Sequence, residues 1–197
     1  ATWYECKVKC TISGLTGTSN KLDVPMQPFY KCYCASYATT PEDTKIDSVH
    51  VGTITTVSDP LDCETYTDYT SLSTSLTPGV PTSIFIKNGS CTGESSVSYV
   101  AVYIDYDHNA AFSETSELAY WYGPIYNLNS IPEGTIFAPG TALSGLTGMR
   151  IILEEGQDVP GPCDIYTRGE TEDYLVNIST APACNTAVLS PGATLST

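Results

Sequence analysis

The chain has little positive charge. Its 197 residues hold 8 Lys and Arg against 22 Asp and Glu, a formal net charge of −14. Phosphate backbones and anionic membrane surfaces bind through a basic footprint, so nucleic acid is excluded as a partner. No apolar run approaches the roughly 20 residues that a membrane-spanning helix needs, which excludes direct membrane insertion by such a helix. No stretch of a dozen residues carries a helical stripe. No glycine-rich phosphate loop stands between a strand and a helix. None of the eight cysteines falls in a CxxC pair, so the usual spacing of a cytosolic metal site is missing. The two histidines, His50 and His108, have no Ser or Cys nucleophile beside them in the sequence.

What is present is short strand-like text. Val, Ile, Tyr and Thr gather into runs over Ile46–Thr55, Thr82–Lys87, Tyr99–Asp105, Ile131–Phe137, Met149–Glu154 and Asp173–Ile178, punctuated by Pro, Gly, Asn and Asp. This predicts an all-β chain built as an antiparallel β-sandwich, jelly-roll or immunoglobulin-like, with partial β domains at its flanks. Residues 3–12 alternate strictly, with Tyr4, Cys6, Val8, Cys10 and Ile12 on one face, and a second run reaches Val24. Tyr4 lies two residues before Cys6, as in the tyrosine corner of immunoglobulin-like domains. Residues 1–27 therefore read as the last hairpin of a preceding immunoglobulin-like domain, or else as an N-terminal hairpin of the main domain. Residues 28–32 read as a linker, 33–179 as the main domain, and 180–197 as a linker followed by the start of another β module. Residue 1 opens directly into strand-like text, so any targeting segment is expected to lie outside this stretch of sequence. Eight cysteines in an acidic, Thr-rich chain predict disulfides and an extracellular setting.

Three segments carry chemical information. The first leaves the strand ending at Ile104 and becomes an acidic loop. Oxygen donors at Asp105, Asp107 and Asn109, a carbonyl at Ala111 and the carboxylate of Glu117 suit a hard cation, and calcium is the expected ion. The same residues also suit a turn whose Asp side chains hold backbone N–H groups. The second segment places Glu170, Glu172 and Asp173 just before an apolar strand. Such acids are costly to bury unless paired, and Arg150 is the candidate partner in a structural network. A catalytic reading would need Asp105 with Glu170 or Asp173 in a pocket of perturbed carboxylates, and no other catalytic group accompanies them. The third segment is Tyr120-Trp121-Tyr122, an aromatic cluster that suits either a sugar face or core packing.

Gly169-Glu-Thr-Glu-Asp-Tyr-Leu-Val-Asn-Ile178 resembles the signature G-E-V-E-D-Y-x-V-x-I of the GEVED domain family. Tyr33-Cys34, Tyr66-Thr-Asp-Tyr-Thr-Ser71, Leu76-Thr-Pro-Gly79, Tyr103-Ile-Asp-Tyr106 with Phe112 and Glu117, and Gly148-Met-Arg150 follow in that family's order. The resemblance covers roughly residues 33–179. It implies a non-catalytic β-sandwich module of large secreted or cell-surface proteins of the Bacteroidetes type. Such proteins carry immunoglobulin-like repeats and leave by the type IX secretion system, as adhesins or as proteases with this domain appended. It implies as partners the type IX secretion machinery, other cell-surface proteins or carbohydrate. The family's acidic loop usually reads D-x-N-x-D-G-D-F, and here Ala110 and Ala111 replace Gly and Asp. The resemblance also places Cys63 with Cys91, and Cys34 with Cys163, inside one domain as the expected disulfides.

Overall fold

The computed structural model describes residues 2–41, 44–59, 63–156 and 158–181. The C-terminal module expected at 180–197 lies, from residue 182 on, outside the described residues. Among those described, no helix is long and apolar enough to cross a membrane.

Among the described residues, the regular structure is almost entirely strand. Four short strands come first: β1 (Thr2–Tyr4), β2 (Lys7–Lys9), β3 (Thr16–Thr18) and β4 (Leu22–Val24). A single 3-10 turn (Phe29–Lys31) leads to β5 (Tyr37–Ala38), β6 (Thr44–Val51), β7 (Ile54–Val57), β8 (Tyr66–Leu76) and β9 (Thr82–Ser90). Then follow β10 (Ser98–Ile104), β11 (Leu118–Ile125), β12 (Glu133–Ile136), β13 (Gly145–Glu155), β14 (Ile165–Tyr166) and β15 (Gly169–Ile178).

Two sheets make the sandwich. One has the order β11-β10-β13-β15-β8, the other β12-β9-β6-β7. Val100, Val102, Ile104, Met149, Ile151, Leu153, Tyr174 and Val176 of the first sheet meet Ile46, Val49, Val51, Ile84 and Ile86 of the second in one buried core. Ile46 and Val49 are three residues apart, yet both point inward because a register shift falls between Ile46 and Ser48. The five-stranded sheet is also covered on its outer face. Ala101, Tyr103 and Ile152 pack there against Phe112, Ala38 and Tyr166, which come from loops and from β5 and β14. Cover on both faces explains why β10, β13 and β15 are buried nearly throughout rather than at alternate residues.

The structure corrects the sequence reading in several places. The sandwich is not wholly antiparallel, since β15 pairs with β8 in parallel, as does β14 with β5. The expected strand Ile46–Thr55 is two strands joined at Gly52, whose φ is 56°. Strand β8 carries mostly Tyr, Thr and Ser, without the apolar alternation that marks a strand in sequence. It is an edge strand, and only Thr74 and Leu76 are buried. The expected continuous strand over residues 3–12 breaks at Cys6. There the Cys6 N–H donates to the Ser19 hydroxyl, and the Ser19 N–H donates to the Cys6 carbonyl. The hairpin spanning residues 2–24 is otherwise regular, with β1 on β4 and β2 on β3, and nearly all of it is exposed.

Two disulfides clamp the sandwich. Cys34–Cys163 has a Cα–Cα separation of 5.5 Å, and Cys63–Cys91 one of 6.1 Å. Cys6, Cys10 and Cys32 are free and exposed, while Cys184 lies outside the described residues. The first disulfide is coupled to the sheet through Arg150 on β13. Arg150 Nε and Nη2 donate to the two carboxylate oxygens of Asp173 on β15, at 2.7 and 2.8 Å. Arg150 Nη1 donates to the carbonyls of Cys34 and Pro162, each at 2.8 Å. The guanidinium lies 5.2 Å from the ring centre of Phe112. Each guanidinium nitrogen of this buried cation is therefore bonded, and one face of the group is covered.

Removing one member of a buried ion pair leaves the other charge uncompensated, at a cost of about 3–5 kcal/mol. Arg150→Ala is expected to lower the unfolding free energy by that amount in urea titrations. Arg150→Lys should recover only part of it, because an ammonium cannot reproduce the two-pronged contact with Asp173. A loss below about 1 kcal/mol in the alanine variant would mean that the pair is merely tolerated.

Candidate metal site and signature strand

The acidic loop is fixed at both ends by strands. Asp105 follows β10 directly and is fully buried, and Glu117 immediately precedes β11 and is also buried. Ile104 N–H donates to the Glu117 carbonyl, closing the loop's neck. Glu117 then binds the loop from within, its Oε1 accepting from Tyr106 N–H at 2.8 Å and its Oε2 from Ser113 N–H at 2.7 Å. Asp105 accepts from Asn109 and Ala110 N–H at 3.2 Å each and from the Tyr33 hydroxyl at 2.8 Å. Asp107 accepts from Asn109 N–H and from the Asn109 side-chain amide. The bend needs left-handed backbone at His108 (φ 58°) and Ala110 (φ 66°). Ala110 occupies this conformation even though it lacks the freedom of glycine.

This arrangement brings together three of the five residues expected as ligands. Carboxylate oxygens of Asp105, Asp107 and Glu117 lie within 4.8 Å of one another, close enough for one metal ion to take all three. Among the described residues, no Lys or Arg forms an ion pair with any of the three. Burial raises the Glu117 pKa, and the charges of Asp105 and Asp107 push it further up against the lowering effect of the two N–H donors. Asn109 serves the turn instead, its Oδ1 accepting from Ala111 N–H at 2.8 Å. Both readings of the loop are thus present in one geometry. The carboxylates hold backbone N–H groups, and they still face one another across a space that suits an ion. Sequence reasoning missed Tyr33, which anchors Asp105 and comes from 72 residues earlier in the chain.

The signature strand divides its acids between two faces. Only Asp173 reaches Arg150; it also accepts from the Tyr66 hydroxyl at 3.0 Å. Glu170 and Glu172 point the other way, toward the second sheet, because strand residues alternate. Glu170 accepts from Ile46 N–H on β6 at 2.9 Å and from the Thr67 hydroxyl at 3.1 Å. Glu172 accepts from the Tyr174 hydroxyl at 2.7 Å, so the Thr56 hydroxyl of β7 is the donor in its 2.9 Å contact with Tyr174. The expected joint pairing of all three acids with Arg150 is therefore corrected. Gly169 opens this strand with φ 133°, and a Cβ there would stand 2.0 Å from the Leu153 carbonyl oxygen. Of the aromatic cluster, Tyr120 packs against the core and donates to the Glu133 carbonyl. Trp121 and Tyr122 are about half exposed.

Comparison with known families finds a match: residues 99–177 are similar to the GEVED domain model. The match runs from β10 to β15 and includes the acidic loop, Arg150 and the signature strand. No curated protein matches the chain. Among solved structures, the CARDB domain of the PF1109 protein from Pyrococcus furiosus, in complex with di-metal ions, aligns with a TM-score of 0.34 at 10% identity. The alignment covers 73% of this chain and 99% of that one. An extracellular type of module fits both the GEVED match and the two disulfides, which form and persist in oxidising compartments.

Glu172 generates a pH prediction. Burial first, and the neighbouring Glu170 second, push its pKa up to about 8, against the lowering effect of the Tyr174 hydrogen bond. The folded chain thus holds a proton that the unfolded chain releases near the ordinary value of 4.5. Stability from this group is fully present below that value and is lost as pH rises toward 8. Glu172→Gln is expected to flatten the decline in urea midpoint between about pH 5 and pH 8. An unchanged slope in the variant would assign the decline to other groups.

Proposed function

We propose that this chain is a non-catalytic extracellular module of a large secreted or cell-surface protein, adhesin-like cargo of the type IX secretion system. Its work is spacing, anchoring or ligand contact. Residues 1–27 are the last hairpin of a preceding immunoglobulin-like domain. A calcium ion held by Asp105, Asp107 and Glu117 stiffens the loop between β10 and β11. The observation that carries this reading is the use made of the buried charges. Arg150, Asp173 and Glu170 each hold one part of the sandwich to another, and Glu172 accepts from Tyr174, which meets Thr56 of the opposite sheet. The exposed Trp121 and Tyr122 favour a second reading, in which the chain is a carbohydrate-binding accessory domain of a secreted protease or glycosidase.

Two measurements test the proposal. Saturating calcium adds about 2.7 kcal/mol at a hundred-fold excess over its dissociation constant, which for a chain of this size raises the melting temperature by several degrees. The rise should vanish with chelator and in Asp105→Ala. Identical melting curves with calcium and with chelator would leave the loop as a hydrogen-bonded turn without an ion. Antibody raised against the purified chain should label intact cells of the source organism or detect the parent protein in its medium. Signal found only after cell lysis would overturn the extracellular assignment.

A further inference from the structure

A cleft of about 340 Å³ opens on the outer face of the five-stranded sheet, between residues 30–37 and the β8 edge. It shares Tyr33 with the acidic loop, and none of the aromatics of β11 lines it. We propose that this cleft binds a neutral saccharide. The inference rests on the reading of the chain as a ligand-contact module and assigns that contact a place.

The argument starts from charge. The chain is strongly acidic, yet the cleft gathers two of its eight basic residues and balances each with a carboxylate. Lys31 pairs with Asp68 at 3.0 Å, and Arg150 pairs with Asp173. A neutral ligand suits this balance better than an anion or a cation. The two pairs differ in exposure. Arg150 and Asp173 form a sealed floor, whereas the side chains of Lys31 and Asp68 remain 39% and 49% exposed. Lys31 also contacts the Thr70 hydroxyl. The rim therefore offers a cationic donor, a carboxylate acceptor and a hydroxyl side by side. Adjacent hydroxyls of a sugar, each both donor and acceptor, match that pattern.

The walls supply the other half of sugar recognition. Tyr30, Tyr37 and Tyr66 line the cleft, and Tyr37 and Tyr66 are more than a third exposed. Tyrosine presents an apolar face for the C–H side of a sugar ring. The setting is rigid as well. Tyr66 is held by Asp173, Tyr33 beneath is stacked on Phe112 at 4.2 Å, and the Cys34–Cys163 disulfide fixes the segment that carries Tyr33 and Tyr37. A preformed site of this size lies within the range of small-ligand pockets.

The test titrates the purified chain calorimetrically with neutral cello-, xylo-, manno-, malto- and chito-oligosaccharides. At least one class should bind. Tyr37→Ala and Asp68→Asn, both at exposed side chains and both checked for unchanged melting, should weaken that binding about tenfold or more, the equivalent of one good polar contact. Binding by none of the five classes overturns the proposal. So does binding that survives both substitutions, or that is lost only in Trp121→Ala, which would move the contact to β11. The bound sugar is also incubated with the chain and its length followed by chromatography. Shortening of the sugar would overturn the non-catalytic reading while leaving the cleft assignment intact.

Discussion

The Arg150–Asp173 contact is the constraint around which the domain is organised. A guanidinium and a carboxylate taken out of water lose several kcal/mol of hydration each, and their mutual attraction offsets this only when every remaining hydrogen-bonding group is satisfied. Here the satisfaction comes from distant parts of the chain. The carbonyls of Cys34 and Pro162 take the third arm of the guanidinium, the Tyr66 hydroxyl takes the remaining side of Asp173, and Phe112 covers the face. Both carbonyls stand at the Cys34–Cys163 bridge, and Phe112 belongs to the acidic loop. One buried charge thereby sets where the disulfide segment, the loop and the β8 edge must lie.

The signature strand acquires a physical meaning from its alternation. Thr171 and Asp173 face outward, where Thr171 meets the hydroxyls of Ser36 and Tyr166. Glu170, Glu172 and Tyr174 face inward; Glu170 reaches β6, and Tyr174, held by Glu172, reaches β7 of the opposite sheet. They add to the other polar links between the two sheets, such as the Thr44 hydroxyl of β6 donating to Glu155 of β13. A one-residue slip of β15 would turn every one of these groups to the wrong face. Gly169 permits this register, because its backbone passes so close to Leu153 that no side chain fits between them.

Tyr33 joins the acidic loop to the cleft. Its hydroxyl donates to Asp105, and its ring lies against Gly148, where a Cβ would stand 2.3 Å from the ring. The same ring lines the cleft beside Arg150. Loop, cleft and signature strand consequently share a wall, and a change in the position of Asp105 is felt directly at the cleft through one hydrogen bond.

Much of this was legible in the order of residues. Short Val, Ile and Tyr runs between turn residues dictate an all-β chain, since alternating side chains need a sheet to bury one face. The acidic loop was also legible, because its donors are neighbours in sequence and the loop leaves a strong apolar strand. So was the need of the signature acids for a basic partner, and Arg150 was the candidate. Other features depend on distance through space. Which acid meets Arg150 follows from the parity of β15 against β13, and parity is set by register. Strand β8 is a strand because β15 offers it a ladder, while its own Tyr, Thr and Ser carry no apolar alternation. The partner of Asp105 is Tyr33, far away in the chain, and the cleft is lined from four separate segments. Local pattern determined the kind of elements and the chemistry they carry; only the packing of two sheets and their covering loops decided which groups meet, because a contact between residues many positions apart exists only once the backbone between them has been folded into place.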